Sequence, residues 1–112
     1  LQASAWIDSG DDKLLALGLA ALTHAVDDPR FEDIPSVFPM LQGLAAMVQG
    51  EPKRQLANLM RSLANRTPPE AARVLREERI RGGEQAHWLV KASLSAFPTR
   101  LQSDLKRGLS RL

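Results

Sequence analysis

Two histidines, thirteen carboxylates and no cysteine make up the reactive side chains of this 112-residue chain. One Glu-x-x-His unit is present, Glu84 to His87. Di-iron bundles use two such units together with further glutamates, because two metal ions need inward-facing ligands from four helices. The second copy is missing here, so no metal site is expected, and His87 reads as a partly exposed helix residue paired with Glu84. The absence of cysteine removes disulfides, thiolate metal sites and a Cys nucleophile together, and is compatible with a cytoplasmic protein. Gly82-Gly83 opens a helical segment, where backbone N–H groups can hold an anion. No Gly-x-Gly-x-x-Gly, Gly-Lys-Ser/Thr or preceding strand accompanies it, so it reads as a break between helices. The pairs Asp11-Asp12 and Asp27-Asp28 lack the alternating oxygen ligands of a calcium loop. The sequence therefore points away from an enzyme and implies no cofactor.

The basic residues carry more information. Residues 1–50 hold two basic and seven acidic side chains, giving −5, whereas residues 51–112 hold thirteen basic and six acidic, giving +7. Such polarity steers an oppositely charged partner to one end, or one copy to another. Lys53, Arg54, Arg61 and Arg66 lie on one helical segment and Arg73, Arg76, Arg79 and Arg81 on the next. Packed as a hairpin, these segments would merge their arginines into one cationic surface, with Glu77 and Glu78 compensating part of it at the solvent side. Trp88 falls about 100° from the inward-facing Leu89 in helical projection, where a tryptophan seals a core or anchors an interface. The candidate partner-binding residues are thus Arg54, Arg61, Arg73, Arg76, Arg79 and Trp88.

The string from Arg73 to Arg79, RVLREER, looks like the Arg-x-Leu-Arg and Glu-Glu-Arg host-translocation signature of oomycete effectors. In that family the signature lies in a flexible stretch behind a signal peptide. Here it falls mid-chain on a capped helix, so it is read as a run of ordinary helix formers.

The elements that would position these residues are all helical. Charged residues at 25% and hydrophobic ones at 44% are near globular averages, and the length suits one domain, 1–112. Residues 1–10 read as a disordered lead-in, or as a segment from which Trp6 packs back. A first helix follows Ser9-Gly10-Asp11-Asp12, a serine with an acid three residues on, and ends at Asp27-Asp28-Pro29. A second is expected from Pro35 to about Gln49, with Val37, Leu41, Leu44 and Val48 on one side. The third begins at Pro52 and buries Leu56, Leu59, Met60 and Leu63. Thr67-Pro68-Pro69-Glu70 reads as a capping box for a fourth, running to Arg81. The fifth spans Glu84 to Phe97 with Ala86, Leu89, Val90, Leu94 and Phe97 inward. Thr99 and Gln102 read as the box that opens the last.

About six helices in an orthogonal or antiparallel bundle are expected, or else a short stack of helical hairpins. The longest uncharged run, Ile34 to Gln49, is too short to span a bilayer and contains two prolines. No signal peptide opens the chain, and its start at Leu1 suggests a piece of a longer protein. The best-fitting function is a helical interaction, adaptor or regulatory module whose basic C-terminal half docks an acidic protein. Non-specific binding of a nucleic-acid backbone is the alternative, weakened by the lack of interleaved aromatics. Head-to-tail self-association through the oppositely charged halves is the third reading.

Overall fold

Helix α4, Gly50–Arg66, is the element around which the rest is built. Its Leu56, Leu59, Met60, Leu63 and Ala64 are at most 1% exposed, at the i, i+3, i+4, i+7, i+8 spacing that puts one stripe inward. The computed structural model describes the backbone of residues 2–110 and the side chains of residues 5–107. Among these residues the elements are α1 (Gln2–Ile7), α2 (Asp12–Asp27), α3 (Val37–Met40), α4, α5 (Pro68–Gly82), α6 (His87–Ser93) and α7 (Thr99–Ser110). Short 3₁₀ turns at Ile34–Ser36, Leu44–Ala46, Gly83–Ala86 and Leu94–Ala96 join them. The fold is all-α. Helix α4 packs on α2, α5 and α6, while α1 packs on α2 and α7 on α5. That arrangement gathers helices about a central one, as a bundle does. The radius of gyration is 13.1 Å, close to the roughly 13 Å of a compact domain of about 100 residues.

Each helix end has a local cause. Asp11, in extended conformation, caps α2 by accepting from the N–H groups of Lys13 and Leu14 at 2.8 and 3.1 Å. Ser9 instead donates to the Trp6 carbonyl and accepts from the Asp11 N–H, so the cap lies two residues after the expected one. At the other end Asp28 is forced out of the helical region by Pro29. Residues 2–7 form a helix with Ile7 buried, which replaces the expected disordered lead-in.

The expected second helix is broken. Val37, Leu41, Leu44 and Val48 are all buried as the periodicity requires, but only Val37–Met40 is α-helical. Pro39 donates no backbone hydrogen bond, and Gly43 adopts φ +79°, a left-handed conformation suited to glycine. Its N–H turns to Glu78 Oε1 at 2.8 Å rather than up the helix. Gly50 opens α4 instead of merely stopping its predecessor.

The Thr67 capping box also fails: the threonine side chain makes no cap bond, and Glu70 faces Arg73 instead. Thr99 is the first residue of α7 rather than its cap, and Gln102 Nε2 donates to the Phe97 carbonyl. The expected fifth helix is divided at Ala86 and Ser93 into turn, α6 and turn. Ala86, Leu89, Val90 and Phe97 are buried in it, and Leu94 only partly.

Candidate functional site

The expected cationic surface is split by the geometry of α5. Arg73 and Arg81 line a cleft of about 440 Å³ between α5 and the Ile34–Met40 segment. Arg76 and Arg79 line a small indentation on another side, with Val90 of α6 and Asp104 and Leu105 of α7. Arg76 and Arg79, three apart, share a helix face, whereas Arg73, six residues before Arg79, lies about 120° round the helix from it and lines the other cleft.

The 440 Å³ cleft has an apolar wall of Ile34, Pro35, Phe38 and Pro39. Its opposite wall is charged, yet the charges there answer one another. Arg73 bridges Glu70 at 2.9 Å and Glu77 at 2.7 Å, one turn to either side. Those two carboxylates, Glu70 foremost, hold the Arg73 guanidinium above its usual range. Glu78 is 5% exposed, not the solvated charge expected. Its Oε2 meets Arg81 at 3.0 Å while Oε1 accepts from Gly43. A buried carboxylate is tolerated when its lone pairs are met in this way.

Arg66, also at this cleft, is a clamp. Its guanidinium donates to the carbonyls of Val26, Asp28, Pro29 and Phe31, tying the end of α2 and the following turn to the end of α4. A rigid planar fork with five donors suits that task. No sequence signal marks Arg66 apart from the other arginines, because its four acceptors are main-chain atoms 35–40 residues away. Within the clamped turn, Arg30 donates to Asp28 and holds its carboxyl below the usual carboxylate range.

The remaining candidates differ in how far they are already engaged. Arg54 pairs with Glu51 at 3.2 Å. Arg61 donates through Nε to the Ala92 carbonyl at 2.9 Å and through Nη1 to Asn58, joining α4 to the end of α6. Trp88 is half-buried and donates through Nε1 to the Ala45 carbonyl at 2.8 Å. Lys53 Nζ stands 4.9 Å from the Trp88 ring centroid, within cation–π range. Trp88 thus seals the seam between α6 and the Leu44–Ala46 turn. Arg76 is exposed and Arg79 half-buried, and neither makes an ion pair or hydrogen bond among the described residues. Asp104 beside them is taken by Arg107.

His87 is not paired with Glu84: its Nε2 is buried and has no hydrogen-bond partner among the described residues. No group of three His, Cys, Asp or Glu among those residues is placed to hold a metal ion. No helix among them is long and apolar enough to cross a membrane. No protein family, no curated protein and no solved structure matches this chain.

Proposed function

We propose that this chain is a helical interaction module, acting as an adaptor or regulatory domain in the cytoplasm, whose basic α5–α7 face docks an acidic helix or tail of a protein partner. The observation that supports this reading is a difference among the arginines. Arg54, Arg73 and Arg81 are matched by carboxylates, and Arg61 and Arg66 by carbonyls. Arg76 and Arg79 have no such partner among the described residues. An arginine without an internal counter-charge keeps its field and its donors for an incoming anion. Arg100, one turn before Asp104 on α7, is exposed and likewise unpaired among the described residues.

A nucleic acid would engage the same cations through its phosphates, but tight single-strand binding draws on stacking aromatics. There is no tyrosine, and Trp88 is tied to Ala45. The two partner classes separate in one experiment. A labelled poly-glutamate peptide and a labelled DNA duplex are titrated with the protein at about 0.01 M and about 0.1 M ionic strength, where screening lengths are roughly 30 and 10 Å. Tighter binding of the peptide, weakening with salt, is expected. Tighter binding of the duplex would move the assignment to the phosphate backbone, and binding of neither would overturn it.

A further inference from the structure

We propose that the chain self-associates head to tail, with Ile80 of one copy entering the cleft beside Leu17 of the next. This rests on the docking reading above and names a second copy of this chain as an acidic partner for the basic face.

Among the described residues three large apolar side chains are exposed: Leu17 at 53%, Met47 at 69% and Ile80 at 79%. A lone exposed apolar residue needs no explanation, but Leu17 is not alone. With Ala16, Ala20 and Pro52 it lines a cleft of about 530 Å³ between α2 and the start of α4. Asp12, Lys13 and Glu51 line it as well, and Glu51 is already paired with Arg54. Exposed Asp8 and Asp11 lie just before the start of α2. The cleft is therefore an apolar floor beside Asp8, Asp11 and Asp12, which make no ion pair among the described residues.

Ile80 has the complementary setting. It projects from α5 with Arg76 one helical turn behind it and Arg79 beside it in sequence. An apolar knob flanked by uncompensated guanidinium groups fits an apolar cleft flanked by carboxylates. This is the −5 and +7 polarity of the two halves expressed at residue level. Like-charged faces repel, so knob does not meet knob, nor cleft meet cleft.

The two faces lie on different elements, α2 with the start of α4 on one hand and α5 on the other, and α4 packs on both helices. One copy offers both. A contact between unlike patches leaves one of each free at the ends, so association continues unless a ring closes. Nothing in the contact is large, and a weak, concentration-dependent equilibrium follows.

The test is a sedimentation-velocity series from micromolar to millimolar protein at about 0.01 M and about 0.1 M ionic strength. For the wild-type chain the average mass should climb with concentration without stopping at a dimer, and climb less at the higher salt. Leu17→Lys spoils the cleft and keeps the knob, whereas Ile80→Glu does the reverse. Both positions are exposed, so both variants should fold. Each alone should associate at least about tenfold more weakly than wild type. An equimolar mixture should form a one-to-one heterodimer, since each supplies the face the other lacks. A wild type monomeric throughout, variants that associate like wild type, or a mixture that stays monomeric would each overturn the proposal. Leu17→Lys should still bind poly-glutamate. A monomeric wild type that binds the peptide removes self-association and leaves the docking reading standing, whereas failure of peptide binding removes both.

Discussion

Glu78 accepts the backbone N–H of Gly43 at 2.8 Å through one carboxylate oxygen and meets Arg81 at 3.0 Å through the other. One nearly buried side chain thereby ties α5, which lays out the basic face, to the turn that follows α3. Removing it leaves a main-chain donor and a guanidinium without their partner. Glu78→Ala should cost roughly 2–3 kcal/mol. Glu78→Gln, which can still accept from Gly43, should cost about 1 kcal/mol. Urea midpoints check both, and an unchanged midpoint for the alanine variant would show that the link restrains nothing.

Arg66 should be the most costly arginine to lose. Its four carbonyl acceptors close the turn after α2, and charged hydrogen bonds are worth roughly 1.5–3 kcal/mol where they are strong. We expect Arg66→Ala to destabilise by roughly 3 kcal/mol. Arg66→Lys should recover less than half, since an ammonium cannot span four acceptors in the plane of a fork. Thermal unfolding of both variants beside Arg76→Ala, expected to be neutral, decides the matter.

Caps give a paired prediction. Asp11→Ala should cost about 1 kcal/mol through loss of two hydrogen bonds to the start of α2. Thr67→Ala should lie within about 0.5 kcal/mol of wild type, because the threonine makes no cap bond. The reverse order in a denaturant titration would mean that α5, not α2, depends on its side-chain cap.

At Gly82 a Cβ would stand 3.0 Å from the Ala86 methyl and 3.2 Å from that of Ala46. Neither methyl can rotate away, so backbone must move. Gly82→Ala should therefore cost roughly 1–3 kcal/mol as an overpacked contact, although alanine is the better helix former. A gain in stability, measured by calorimetry, would show that the α5–α6 corner is loose.

The residues of the core were largely legible in the sequence. Leu59, Leu63 and Leu89 are at most 1% exposed, and Val37, Leu41, Leu44 and Val48 are buried in the order their spacing implies. Helix continuity was not legible over Pro35 to Gln49, because the same spacing is met by a chain of short turns once Gly43 goes left-handed. Capping was misread where a threonine or serine matched the pattern but a neighbour, or no side chain at all, filled the role. The basic face was legible as a charge excess and not as a place. Which arginines remain unpaired depends on partners such as the Ala92 carbonyl, 31 residues from Arg61, and no local pattern encodes those.

The claim that the α5–α7 face docks an acidic partner meets its most direct test in the association rate of labelled poly-glutamate with an Arg76→Glu/Arg79→Glu variant. Surface charges act mainly on the encounter rate, which electrostatic steering changes by about 10- to 1,000-fold. Stopped-flow measurement at about 0.01 M ionic strength should show the double reversal associating at least about tenfold more slowly than wild type. The gap should narrow as salt rises and screening shortens, with unfolding midpoints unchanged. An association rate and salt dependence equal to those of the wild-type chain would contradict the account.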